Sequence, residues 1–154
     1  MLNPNTILTA LEERLGERFP GRRVYRDLVP EGFERPSFLV SLGSVEMADA
    51  SCDTLDVKTQ LVVTAFETVD RYHNTHVAAL AGTMMLVQEL FAAAYLRVGD
   101  RALHVAGNKG EYHYDYAEIT VTLSYQDDRP GGETWPPMGA VSLNLTGGIA
   151  DGTA

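Results

Sequence analysis

Leu55, Val57, Leu61 and Val63 alternate with Asp56, Lys58, Gln60 and Thr64. Successive side chains of a strand point to opposite faces, so this pattern predicts a long antiparallel-type strand over residues 54–66, buried on one face and wet on the other. Such a strand needs neighbours in a sheet and a layer to cover its apolar side. The rest of the chain supplies both.

Phe38, Val40 and Leu42 alternate with Ser37, Leu39 and Ser41, which predicts a partner strand and a hairpin of residues 37–43 with 54–66. The small, polar residues from Gly43 to Asp53 read as the loop between them. Arg22 to Asp27 reads as a short strand ahead of this pair. Ala102 to Ala106 is another, followed by Gly107-Asn108-Lys109-Gly110, whose Asn and Gly suit a tight hairpin turn. The returning strand carries Tyr112, Tyr114 and Tyr116 on one parity and Ile119, Val121, Leu123 and Tyr125 on the other. That switch predicts a β-bulge near Ala117-Glu118.

Two helices provide the covering layer. Asn3-Pro4 caps and starts the first, Ile7, Leu8, Leu11, Leu15 and Phe19 recur at helical spacing, and Pro20-Gly21 ends it, giving residues 4–18. The second follows a turn at Asp70 to Asn74 and runs toward a stop at Gly99-Asp100. Val77, Leu80, Ala81, Met84, Val87, Phe91 and Ala94 form its apolar face, and Met85, Leu86 and Leu90 widen it beyond one stripe. A helix this apolar packs on a sheet on one side and on something else on another.

The expected fold is therefore α+β, in the order α-β-β-β-α-β-β. Its mixed or antiparallel sheet carries both helices on one face. Residues 1–128 make a single domain, within the usual ~100–200 residues of one domain. Residues 129–154 form a Pro/Gly-rich C-terminal extension. Within it Val141, Leu143 and Leu145 alternate, so residues 138–145 read as a strand that must pair with its own sheet or a neighbour's edge.

Charge and composition narrow the function. The formal net charge is −9, and no run of Lys or Arg exceeds Arg22-Arg23, which argues against a grip on nucleic acid. The single cysteine, Cys52, excludes an internal disulfide. The N-terminal segment lacks the basic and apolar regions of a signal peptide, and Gln88 and Glu89 interrupt the stretch Val77 to Leu96, too polar to span a membrane. Asn144-Leu145-Thr146 matches a glycosylation sequon and reads as chance without a secretion signal.

No residue pattern calls for catalysis. His73 and His76 are three apart and can share a helix face, and His104 and His113 can face each other across the Gly107–Gly110 turn, but zinc needs further ligands at matched spacing. Cys52 lies beside Asp53 in a polar loop, with no cationic sequence neighbour to make it a nucleophile. The serines lack a nucleophile elbow, and Gly107–Gly110 lacks the ending of a phosphate loop. Asp127-Asp128, or Asp49 with Asp53, reads as solvated rather than as a cation site. The tyrosine strand reads as core or protein interface. Neither cofactor nor metal is expected, and the emphasis falls on assembly.

One stretch remains. In "YRDLVPEGFERPSFLVSL", from Tyr25 to Leu42, Val29-Pro30-Glu31-Gly32 has turn chemistry and Arg35-Pro36 starts the next strand, so Phe33 rides on a stiff corner. Two readings of Phe33 stay open: a staple folded under the second helix, or a contact with a partner. The combination Tyr25, Val29-Pro30-x-Gly32-Phe33, Pro36 and Phe38 resembles the segment after the first helix in tail terminator proteins of long-tailed bacteriophages. The element order is similar over residues 4–145, and so is the closing segment Met138 to Leu143; the motif itself covers residues 24–42.

The resemblance implies a structural protein rather than an enzyme. Such proteins form a ring, typically a hexamer, on the head-proximal end of the tail tube. The ring stops tube polymerisation and offers a surface to the head-tail connector or stopper protein. Its partners would be further copies of itself, the tube protein and the connector, with DNA passing unread through the lumen and no membrane involved. Its place would be the virion, after assembly in the host cytoplasm. On this reading the contacts fall on Phe33 and Arg35 at the corner and on Met47, Asp49 and Asp53 in the 44–53 segment. Met85 and Glu89 on the second helix and Trp135, Val141 and Leu143 in the extension complete the set. Two alternatives stay open: a head-tail connector or stopper subunit, and a small ligand- or metal-binding α+β domain using His73, His76 and the tyrosine strand.

Overall fold

The computed structural model describes residues 1–131. Helix α1 spans Pro4–Arg18, strands β1, β2 and β3 span Arg23–Arg26, Ser37–Asp49 and Thr54–Phe66, and helix α2 spans Val77–Leu90. Strands β4, β5 and β6 span Tyr95–Val98, Arg101–Tyr112 and Ala117–Asp128. All six strands form one mixed sheet in the order β1-β2-β3-β6-β5-β4. The fold is α+β, as expected, with one strand more than the sequence reading supplied.

α1 starts where local chemistry requires. The Asn3 side chain accepts a hydrogen bond from the Asn5 N–H at 2.9 Å, Pro4 opens the first turn, and the helix closes at Phe19. Its buried stripe of Ile7, Leu8, Leu11 and Leu15 meets Phe38, Val40, Leu61 and Val63 from β2 and β3. α1 also touches both outermost strands, β1 and β4, so the sheet curls around it. α2 lies on the same side, over β5, β6 and β3, and adds Leu80, Val87 and Phe91 to that core. Gln60, Thr120, Thr122 and Ser124 face the other way, toward water.

Four expectations need correction. The first is the loop from Gly43 to Asp53. β2 continues to Asp49, pairs with β3 over its whole length, and turns only at residues 50–53. A register shift between Leu42 and Ser44 places Leu42, Val45 and Met47 on one face at uneven spacing, so no period-2 signal survives. Gly43 suits this position because a Cβ there would stand 3.1 Å from the Gln60 carbonyl oxygen.

The second is the turn at Gly107–Gly110. These residues lie inside β5, opposite Thr122 to Ile119, and neither glycine has a positive φ. The chain reverses at His113 to Tyr116, where the His113 N–H donates to the Tyr116 carbonyl at 2.8 Å. His104 and His113 therefore do not face each other across a turn: His104 sits opposite Ser124 and Tyr95. The third is the bulge near Ala117, because β6 is regular and the irregularity lies in β5, between Val105 and Gly107. The tyrosine parity change spans the reversal instead.

The fourth is the extent of the second helix, which stops at Leu90. Leu96 and Val98 are buried between exposed Tyr95 and Arg97, the alternation of strand β4. Gly99-Asp100 is its two-residue hairpin loop to β5. Gly99 holds φ 62° at the first loop position, where a side chain would be strained. His73 likewise lies outside α2, in a loop, so it shares no helix face with His76, the α2 cap residue.

Candidate assembly interface

The Pro/Gly corner is built to pack on itself. β1 runs parallel to β2, so the chain must double back through residues 27–36 before pairing again. Phe33 fills that return. Its ring lies 4.7 Å from Phe66 and 6.2 Å from Tyr25, and the Tyr25 hydroxyl accepts from the Glu34 N–H at 3.0 Å. The Arg35 guanidinium covers Phe33 and Phe66, at 5.0 and 5.3 Å from the ring centres, and donates to the Glu67 carbonyl at 3.3 Å. Phe33 thus staples the corner to the end of β3, not to α2. Leu28, on the same loop, is exposed.

The outer face of α2 is different. Leu80, Thr83 and Val87 are buried, whereas Val77 and Met85 are 58% and 54% exposed. No charged residue occurs from Val77 to Gln88, and Glu89 is the one charge of the helix. The outward surface therefore consists of Val77, Ala78, Ala79, Gly82 and Met85, an apolar strip that water solvates poorly, with Glu89 at its C-terminal end.

The outer half of β2 is a second open surface. β1 pairs only with Ser37 to Val40, and beyond that, among the described residues, no strand lies on this side of β2. Leu42, Val45 and Met47 stand opposite Leu61, Thr59 and Val57, on the core-facing side of the sheet. Leu42 and Met47 are 41% and 54% exposed.

The tip of this hairpin is clamped by Arg129. Its guanidinium meets the Asp49 carboxylate at 2.5 Å and the Ser51 and Cys52 carbonyls at 3.1 Å each, and its backbone N–H donates to the Asp53 carbonyl at 2.8 Å. Asp49 is thus paired within the chain, and the Asp53 side chain remains exposed. At the same end, burial pushes the Asp127 carboxyl up, but N–H groups of Leu2 and Asp128, the Arg101 guanidinium and the N-terminal ammonium outweigh burial and hold its pKa below the ordinary value. The Leu2 bond, at 2.6 Å, anchors the start of the chain to the sheet.

At the opposite end, the Asn74 N–H holds the Asp70 carboxyl below its ordinary pKa against the upward push of burial, helped by the Tyr72 N–H and by His76 and His73. His113 stacks on Tyr116 at 4.6 Å, its Nε2 3.1 Å from Glu118. Among the described residues, no group of three or more His, Cys, Asp or Glu side chains is placed to hold a metal ion, and no helix is long and apolar enough to cross a membrane.

The structure brings Met47, Asp49 and Asp53 together on the hairpin and sets Met85 and Glu89 on the outward side of α2. Phe33 and Arg35 lie on the self-packed corner. Trp135, Val141 and Leu143, with the rest of residues 138–145, lie outside the described residues. Sequence reasoning missed Leu42, Val77 and Arg129. An arginine at the first position of the Pro/Gly-rich extension was the available signal for the last.

Compared with known families, residues 6–134 match the family model described as "Phage tail terminator protein". The chain belongs to this family. The match runs from the first turn of α1 past the end of β6, so it takes in all eight elements and Arg129. No curated protein matches the chain. As a phage tail terminator family member, the protein is a structural component of the virion tail.

Proposed function

We propose that this chain is a ring subunit that caps the tail tube, stops its polymerisation and presents the surface to which the head joins. The observation that carries this reading is a pair of unlike surfaces. Helix α2 packs over β5 and β6 and turns an apolar strip outward, with Glu89 its one charge, and the open half of β2 lies beyond β3. Contacts between unlike patches are head-to-tail, and they close into rings when the rotation per subunit allows. Further copies of the chain, the tube protein and the head-tail connector are the partners this reading requires. The negative net charge suits a lumen that DNA must traverse without sticking.

The test is assembly by a surface variant. Met85→Asp places a charge on the outer face of α2 without touching the core. The parent chain is expected to form a closed ring and to cap purified tail tubes. The variant is expected to keep its thermal unfolding midpoint and lose both. A variant that assembles and caps like the parent would remove α2 from the interface.

A further inference from the structure

The outer half of β2 is a strand edge in want of a partner. From Ser44 to Asp49 it pairs with Gln60 to Leu55 in unbroken register on one side, and nothing among the described residues pairs on the other. Its last lateral contact is the Asp27 N–H on the Val40 carbonyl, at 2.9 Å. Natural edges are blunted by lysine, proline or a bulge. This segment, Ser-Val-Glu-Met-Ala-Asp, has neither residue, its bulge sits behind it at Gly43, and its Asp49 is neutralised by Arg129.

We propose that residues 138–145 of one copy add as a strand to the Ser44–Asp49 edge of the next copy. The partner is a second molecule of this chain, so the inference deepens the ring reading and rests on it. The segment Met-Gly-Ala-Val-Ser-Leu-Asn-Leu carries no charge to be buried against Glu46. Its alternation places Val141, Leu143 and Leu145 on one face, matching Val45 and Met47, and Ser142 on the other, matching Ser44, Glu46 and Ala48.

The point of departure opens a path to a neighbour. β6 ends beside the hairpin tip, and Arg129 pins the chain there. Reaching its own β2 edge means crossing about three strand spacings, ~14 Å, and reversing direction. The connecting residues 130–137, Pro-Gly-Gly-Glu-Thr-Trp-Pro-Pro, extend to at most ~28 Å. A connector of that length is long enough to take the segment past its own molecule to a neighbouring copy.

Disulfide trapping in the full chain tests this. In a Cys52→Ser background, Ser142→Cys is combined in turn with Ser44→Cys, Glu46→Cys or Ala48→Cys and oxidised over a concentration series. The expected result is a ladder of covalent dimers and larger species for at least one pair. Mixing the two single-cysteine chains should give dimers only, and adding Leu143→Pro should abolish the ladder. A bond within one chain, or none for any pair, overturns the strand exchange. The parent's mass separates this from the ring reading. A closed ring without a ladder overturns only the exchange. A ladder of open chains supports the exchange and overturns the ring. A monomer without a ladder overturns the exchange and leaves the ring to the tube-capping assay.

Discussion

Arg22 and Glu67 meet where three elements converge. The Arg22 guanidinium lies over Phe19 and Phe38, contacts Glu67 at 2.5 Å and reaches the Thr83 hydroxyl on α2 at 3.5 Å. Glu67 is 7% exposed, so losing its charge leaves a cation against aromatic rings with no counter-ion. Glu67→Gln is expected to cost about 2 kcal/mol, between the ~1 of an exposed pair and the ~3–5 of a fully buried one, read from the urea midpoint. Asp127 makes a second residue-scale prediction. Its folded pKa lies below the ordinary 3.8, so the unfolded chain takes up the proton first. Its contribution is fully present above that value and is lost as the pH falls below it. Asp127→Asn should therefore lower stability near neutrality and flatten the acid limb of the stability profile below pH 3.8. An unchanged acid limb would separate Asp127 from the anchoring of Leu2.

Among the elements, α2 combines a buried face that the core requires and an outer face that the core does not explain. Gly82 lies on the outer side, with nothing within 4 Å of where a Cβ would be. Gly82→Ala should raise the stability of the isolated subunit by about 0.5–1 kcal/mol, the usual difference in helix propensity, measured by denaturant unfolding. How legible each element was in the sequence depended on whether its signal was local. α1 was readable to the residue because Asn3, Pro4, Phe19 and Pro20-Gly21 mark both ends by local chemistry. The inner half of β2 and all of β3 were readable because period-2 alternation holds across them. The outer half of β2 was not, since the bulge at Gly43 breaks that period where the open edge begins. β4 was hidden behind Ala92-Ala93-Ala94, three residues that continue a helical pattern. Gly107 to Gly110 carries turn residues, but pairing with β6 overrides them, while the real reversal at Tyr114-Asp115 contains no glycine. The candidate surfaces divided the same way. Excess apolar character flagged Met85 within one helix, but the packing of Phe33 on Phe66 is a contact across 33 positions that no local pattern encodes.

Across the described residues, a hydrophobic core is enclosed by a sheet curled around α1, and the two ends of the sheet differ in chemistry. Asp49, Asp53, Asp127 and Asp128 gather at the hairpin tip, with Arg101 and Arg129 among them. Exposed Tyr72 and Tyr114 mark the other end, where the Tyr114 hydroxyl donates to Asn74 at 3.3 Å. On the proposed ring reading, these two ends would give the assembly unlike faces. The most direct measurement is absolute mass in solution by light scattering, over a concentration series, for the parent chain and Met85→Asp, each with and without purified tail tubes. The account predicts a closed ring near a hexamer for the parent, and a smaller species that ignores tubes for the variant. A parent chain that stays a monomer at every concentration and remains one in the presence of tubes would contradict it.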